Sequence, residues 1–420
     1  MANPPRARRT RTTAAQKDRV GVWLFGAMGG LATTVFAGAR AIARGLAAPQ
    51  GLVTATPLAE GLPLAPLEGL VFGGHEIRRS TPREAAREIH AANGSLPAPL
   101  LKAIDRDLVE YGRRIVDGTL VNAGRGIEKL VADGEAAKPL PLREAVARIQ
   151  DDLRAFMRKE RLTRCVCVNL CSTEPKLAPS PAHATLAAFE RALDGDKRSL
   201  VRPSTLYAYA AASLDLPFVH FTPSDATLIP AVRQLFEQNG APYAGRDGKT
   251  GETLVKSALA PLFKYRNLRV LSWQGYNMLG DRDGVVLDDE ENKATKVESK
   301  DRVLAQILGY APHSKVAIDY VPSLGDNKTA WDFIHFEGFL GYRMSLQFTW
   351  QGCDAVLAAP LVLDLLRLVE LAQRRGERGA QAQLACFFKQ PIGTDEQDLH
   401  VQWHRLVAWL TAARGAPTAP

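Results

Sequence analysis

Apolar and polar positions follow two alternating periods along the chain, and their order predicts strands and helices taking turns, as in an open α/β sheet. Val20–Phe25 is an unbroken apolar run of strand length, the mark of a parallel strand buried on both faces. Gly26-Ala27-Met28-Gly29-Gly30 follows as a tight turn, and Leu31–Ala43 continues at helical spacing with Thr33 and Thr34 in its first turn. Leu70–Phe72 predicts a further strand closed by a turn at Gly73-Gly74. Thr81–Ala92 predicts a helix with Thr81 as N-cap and Pro82 at its first position. Helical patterns also cover Ala98–Asp117 and Leu142–Arg158. Thr163–Leu170 and Pro217–Phe221 are β-prone and end in Ser172-Thr173-Glu174-Pro175 and Thr222-Pro223-Ser224-Asp225. Such endings place small polar groups at the carboxyl edge of a sheet, where open α/β folds bind ligands. From 245 to 355 polar turns and charges interrupt shorter strands at Arg269–Trp273 and Val316–Val321. Val356–Arg374 then predicts one long apolar helix, and the chain ends in another helical pattern.

Composition narrows this picture. The chain has 420 residues, 46% hydrophobic and 23% charged, enough for two or three globular domains. Five cysteines, an odd number, make no disulfide framework and point to a reducing compartment. Of the net charge of +8, residues 1–20 supply +5: Arg6, Arg8, Arg9, Arg11, Lys17 and Arg19 against Asp18. The body therefore lacks the basic face that a nucleic-acid-binding fold needs. Val20–Ala39 carries no charge behind Arg8 and Arg9, which also fits a twin-arginine export signal or a membrane span. Gly21, Gly26, Gly29, Gly30 and Gly38 make it a poor span. The order strand, glycine turn, helix fits better the start of a dinucleotide-binding unit, with free N–H groups at the helix start for a pyrophosphate. The loop departs from the strict G-x-G-x-x-G spacing, and no acidic residue closes a second strand near Leu52–Thr54 to hold a ribose.

A second anion site is encoded at Gly245-Arg246-Asp247-Gly248-Lys249-Thr250-Gly251-Glu252-Thr253, which leads into a helix predicted over Leu254–Phe263. Glycines, threonines and a lysine at a helix start suit a phosphate, although a capped surface turn has the same composition. The run from Trp273 to Gly284 gathers Asn277, Asp281, Asp283 and glycines after a strand, a pattern shared by ligand loops and plain turns. Lys296 and Lys300 are four apart, on one face of a helix if one forms there. Lys328 follows Gly325-Asp326-Asn327, and Lys389 follows the apolar run Leu384–Phe388, where a desolvated ammonium gives up its proton more readily. Cys165 and Cys167 alternate on a strand and read as packing residues. His400 and His404, at i and i+4, lack a third ligand and read as a half-buried helix face.

The runs GRDGKTGET, GYNMLGDRDG, TKVESK, GDNK and FFKQP, in this order and spacing, resemble the myo-inositol-1-phosphate synthase (inositol-3-phosphate synthase) family, and GAMGGLATT and CSTEP fit it too. The resemblance spans about residues 20 to 410. It implies an α/β fold: a Rossmann-type NAD-binding domain formed by both chain ends, with an inserted α+β catalytic and oligomerisation domain. The corresponding division is a basic arm at 1–18, a first Rossmann part at 19–252, the insert at 253–357 and the return at 358–415. It further implies a cytoplasmic homotetramer that cyclises D-glucose 6-phosphate with NAD, with no nucleic acid and no membrane as partner.

By motif match, Lys296 and Lys389 would stand beside the sugar C5, Lys328 would polarise the C1 aldehyde, and Lys300 would help hold the phosphate with the backbone of Thr250, Gly251, Glu252 and Thr253. Asp247 and Asn277 would orient lysines and cofactor, with Asp326 and Asp354 behind them. Gly26, Gly29, Gly30, Glu76, Ser172, Thr173, Thr222, Asp281 and Asp283 would contact NAD, with Asp247 and Asp326 nearby. Three departures from the family pattern stand out: Leu31-Ala32-Thr33 after the glycines, Glu76 where Asp is usual, and Asp281 in place of an Asn. Asp281 leaves a monovalent or divalent cation requirement open. Two other readings remain: an oxidoreductase or cyclase for another phosphorylated sugar, and a non-catalytic homologue, which would have no need of four clustered lysines.

Overall fold

The computed structural model describes residues 19–129, 131, 140–280 and 303–414. Seven strands, β1 (Val20–Phe25), β2 (Leu70–Glu76), β3 (Ile115–Asp117), β4 (Cys165–Asn169), β5 (Phe218–His220), β6 (Pro242–Gly245) and β11 (Gly379–Ala380), form one sheet in the order β11-β6-β5-β4-β1-β2-β3. All its pairings are parallel. The order reverses direction at β1, so the crevice beyond the carboxyl ends of β1 and β4 is a topological switch point. Strands β7 (Arg269–Leu279), β8 (His313–Tyr320), β9 (Lys328–Glu337) and β10 (Arg343–Gly352) form a separate mixed sheet, β10-β9-β7-β8. The chain is thus mixed α/β, and the parallel sheet takes its strands from both sides of the segment that builds the second sheet.

Alternation along β1 shows how the larger sheet is buried. Val20, Val22 and Leu24 pack on one face with helices α1 (Gly30–Ala43) and α6 (Asp354–Arg374). Trp23 and Phe25 point to the other, against α3 (Leu142–Glu160) and α4 (Pro203–Ser213). Cys165 and Cys167 join this second layer as buried packing residues, free of disulfides. Arg40, on α1, reaches the carbonyls of Leu67 and Leu70 at 2.8 Å. Helix α2 (Pro82–Asn93) starts with Thr81 and Glu84 in a reciprocal capping box, which fixes the predicted N-cap.

Four expectations are corrected. Gly73 and Gly74 do not turn the chain: they lie inside β2, where a Cβ on Gly74 would overlap Leu24 O and one on Gly73 would meet Phe156 and Trp23 at 3.0 Å. Glycine is needed there for close approach, not for bending. Ala98–Asp117 is not one helix but Ala98–Ala103, Asp105–Gly112 and the edge strand β3. Trp273–Leu279 belongs to β7 rather than to a loop, because its buried positions alternate (Trp273, Gly275, Asn277, Leu279). Helix α5 (Gly251–Tyr265) starts three residues earlier than predicted, so Gly251-Glu252-Thr253 is its first turn. The final helix is α7 (Leu399–Arg414).

Two glycines separate the roles of space and flexibility. Gly74→Ala is expected to destabilise the fold by about 2–3 kcal/mol through overpacking. Gly38→Ala, whose Cβ meets nothing within 4 Å in α1, should gain up to about 1 kcal/mol of stability. Urea unfolding midpoints check both.

Candidate functional site

A cleft of about 770 Å³ opens at the carboxyl edge of the parallel sheet. Its lining includes Gly26, Gly29, Gly30, Glu76, Ser172, Thr173, Thr222, Asp247, Thr250, Asp326, Asp354 and Lys389 from the predicted set. These come from segments spread over more than 360 positions of sequence. Asp281, Asp283, Lys296 and Lys300 lie outside the described residues.

One end of the cleft is the glycine loop between β1 and α1. Gly26 has φ +83, where a side chain is strained, and its Cβ would press on Leu170 O at 3.1 Å. Gly26 and Ala27 donate their N–H groups to His75 O at 3.0 Å, and Tyr111 Oη donates to Ala27 O at 2.7 Å. Beyond them the helix start is open: Gly29 caps α1 without a side-chain bond, and a Cβ on Gly30 would meet nothing within 4 Å. Thr33 Oγ1, in that first turn, is buried with no protein partner. Open amides, an orphaned hydroxyl and glycines in close approach fit a dinucleotide pyrophosphate. The acidic residue sought near Leu52–Thr54 is Glu76, already named by motif match: the second strand is β2 and Glu76 ends it. Its carboxylate accepts from Met28 N (2.7 Å), Ile77 N (2.8 Å) and Arg78 N (3.1 Å). Arg78 in turn donates to Met28 O, so the loop is gripped from both sides.

The opposite wall is built around Asp247. Lys389 Nζ donates to Asp247 Oδ1 at 2.9 Å, and both residues are buried, 7% and 4% exposed. The expected desolvation of Lys389 is therefore met by a paired carboxylate. Backbone bonds from Lys389 N to Asp247 O (2.7 Å) and Arg246 N to Gln390 O (2.9 Å) hold the two segments in register. Gly248 is required here, since a Cβ would collide with the Phe221 ring. Next in sequence, Lys249 is buried and donates to Gln402 Oε1 on α7 at 2.7 Å; burial pushes its ammonium down to about 8. The α5 start then faces Lys328, whose ammonium lies 3.2 Å from Asp354 Oδ2. A Cβ on Gly251 would stand 3.6 Å from that ammonium. Lys328 does not itself line the cleft, but its partner Asp354 does.

Other predicted residues sit differently. Asn277 is fully buried behind the cleft and donates to Glu252 Oε2 at 2.6 Å. The Glu252 carboxylate also pairs with Lys256 at 2.6 Å, which leaves only its backbone for an anion. Asp326 accepts from Asn93 Nδ2 at 2.9 Å, tying α2 to the loop before β9. Sequence reasoning missed Asn93, Lys256 and Arg78, and it counted Lys249 toward the phosphate, whereas that ammonium is turned to Gln402. It also passed over Glu174, although CSTEP contains it. His400 and His404 lie on α7, with His404 Nδ1 2.6 Å from His400 O. Among the described residues no three His, Cys, Asp or Glu side chains gather as a metal site, and no helix is long and apolar enough to cross a membrane.

Glu174 lines the cleft with its carboxylate on Ser204 N (2.8 Å) and Ser204 Oγ in the first turn of α4. Burial pushes its carboxyl from 4.5 up to about 7, against the pull of those bonds. A carboxyl raised in the folded state favours folding while protonated, and that contribution is lost as pH rises through the folded value. Wild type should therefore lose stability relative to Glu174→Gln between about pH 4.5 and 7, with a constant difference above. Unfolding free energies of the two proteins across that range check this.

The chain is similar to known proteins over most of its length. An NAD-binding family model described as myo-inositol-1-phosphate synthase matches residues 20–411. A Bacteroides thetaiotaomicron protein named inositol-3-phosphate synthase 1 is 35% identical over 409 residues, covering 92% of this chain and 93% of its own. Two solved structures share the fold. The inositol-3-phosphate synthase of Caenorhabditis elegans has a TM-score of 0.82 at 23% identity, over 95% of this chain and 86% of that one. A myo-inositol-1-phosphate synthase-related protein of Thermotoga maritima has 0.76 at 24%, over 94% and 98%. The chain belongs to the myo-inositol-1-phosphate synthase family.

Proposed function

We propose that the protein is an NAD-dependent isomerase that cyclises D-glucose 6-phosphate to 1D-myo-inositol 3-phosphate. The observation that carries this reading is the meeting, around one cleft, of a dinucleotide loop, the α5 anion site and two lysine–carboxylate pairs. Gly26, Gly29, Gly30, Glu76, Ser172, Thr173 and Thr222 hold NAD, with Asp247 and Asp326 beside it. Bound there, NAD supplies reversible oxidation at C5 of the sugar. The chain's own groups do the rest. The first-turn amides of α5, Gly251 to Thr253, bind the phosphate together with Thr250, favoured by the helix dipole. Lys389, aimed by Asp247, moves the proton at the C5 oxygen and stabilises negative charge there. Once C5 is a ketone, a C6 proton is acidic and leaves to a basic group of the site. C6 then attacks C1, the C1 oxygen takes up a proton, and C5 is reduced back to the alcohol, so the net change is an isomerisation. Lys328, steadied by Asp354, stabilises the oxyanion that forms at C1. Lys296 and Lys300, outside the described residues, join the site on their motif match alone, as do Asp281 and Asp283.

The same reading makes the protein a cytoplasmic homotetramer divided at 19–252, 253–357 and 358–415. The outer face of the second sheet supports self-association. Tyr276 and Trp331, paired across β7 and β9, are exposed there, and Phe339 and Leu340 at the β9–β10 hairpin are each 88% exposed.

Incubation of purified protein with glucose 6-phosphate and NAD, followed by an assay for inositol phosphate, tests the activity. Product without free NADH is expected; NADH accumulating in step with product would replace the reading with a net oxidoreductase. Lys328→Met is expected to lower turnover by about 10²–10³-fold, the usual loss of one oxyanion contact. NAD titration by protein fluorescence should give wild-type affinity in that variant. Near-normal turnover in Lys328→Met would remove it from the mechanism.

A further inference from the structure

Behind the cleft lies an ionic cluster that the proposed chemistry does not use. Lys256, Glu252 and Asp332 are each no more than 1% exposed. Glu252 and Lys256 are one turn apart on α5, with Nζ and Oε1 at 2.6 Å, and the same Nζ is 3.8 Å from Asp332 Oδ1 on β9. Both carboxylates are also tied to β7: Asn277 Nδ2 donates to Glu252 Oε2 at 2.6 Å, and Trp273 Nε1 to Asp332 Oδ1 at 2.7 Å. The sheet makes room for the cluster at Gly275, which pairs with Asp332. A Cβ there would run into Glu252 Oε1 and stand 3.1 Å from Lys256 Nζ and 3.3 Å from Asp332 Oδ1.

A buried ion cluster is a poor source of stability, since apolar residues of the same volume serve as well or better. What it supplies here is geometry. Its α5 member, Glu252, belongs to the first turn whose amides form the anion site. Its β9 member, Asp332, lies on the buried face that also carries Lys328, four residues earlier on the same strand. We propose that Lys256, bridging Glu252 and Asp332, is a positioning residue that fixes the α5 first turn against the start of β9, so that the phosphate amides and the Lys328 ammonium keep one spacing. Without Lys256 two buried carboxylates face each other across its place, and their repulsion moves the turn. The inference rests on the phosphate-site reading above.

The test uses the full chain loaded with NAD and inorganic phosphate as the probe, titrated by ³¹P NMR, so that no turnover is needed. Lys256→Met and Asp332→Asn are each expected to weaken phosphate binding by about tenfold, the worth of one charge-assisted hydrogen bond. KM for glucose 6-phosphate should rise in parallel, with a smaller fall in kcat. Asp332→Asn keeps the side-chain shape and an acceptor for Trp273, so it decides the matter if Lys256→Met does not fold. Folded variants that bind phosphate as wild type does, with only a lower unfolding midpoint, would show a merely structural cluster and overturn the proposal. A wild-type protein that binds no phosphate would overturn the phosphate-site reading, and the proposal with it.

Discussion

The buried pair of Asp247 and Lys389 is the constraint on which the arrangement depends. The two residues are 142 positions apart, and the 2.9 Å bond between them closes the connection after β6 onto the segment after β11. Five backbone bonds flank it, from Lys249 N to Phe387 O at 2.8 Å to Ile392 N to Gly245 O at 2.8 Å, with Lys389 N to Asp247 O and the reciprocal pair between Arg246 and Gln390 in the middle. That ladder holds the anion loop, the end of β6 and the returning chain as one piece. It also explains why the parallel sheet draws on both chain ends: the lysine must come back to the edge that the earlier strands have built.

Energetically the pair is not a simple source of stability. Taking a carboxylate and an ammonium out of water costs several kcal/mol for each ion, and their attraction roughly offsets this only where the geometry is good. Breaking it from one side leaves an uncompensated buried charge. The same physics holds one layer deeper at Glu252, Lys256 and Asp332, and at the cleft's edge at Lys328 and Asp354. Three lysines, each held by carboxylates, thus surround the start of α5, itself the positive end of a helix dipole. Fixed charges of this kind need no reorganisation when negative charge develops in a substrate, which is what the proposed cyclisation requires.

The parts of the molecule legible in the sequence are those governed by local rules. Val20–Phe25 is a strand to the residue, because six apolar positions have no other use at that length. The Thr81 cap and the polar strand endings at Ser172 and Thr222 follow from hydrogen-bonding rules of a few residues' range. The motifs that carry the family resemblance were equally plain. What failed was ambiguous locally: glycine marks both turns and close approach, so Gly73-Gly74 looked like a turn when Leu24 was what excluded a side chain. Trp273–Leu279 looked like a loop because its polar residues, Asn277 among them, are buried by partners on α5. Lys256 gave no signal, since a lysine on a helix reads as solvent-facing until its carboxylates, one of them 76 positions away, are brought to it. Glu76 was named by motif match but not placed at the end of a strand, because reading Gly73-Gly74 as a turn stopped that strand at Phe72.

The most direct test of the central claim is a double-mutant cycle on the pair itself, with Asp247→Asn, Lys389→Met and the double variant compared for kcat with glucose 6-phosphate at saturating NAD. If the carboxylate acts by aiming the lysine, each single change removes most of the turnover and the double variant is no slower than Lys389→Met alone. Losses that multiply in the double variant would mean that the two groups work independently, and the pair would not be the unit on which the cleft depends.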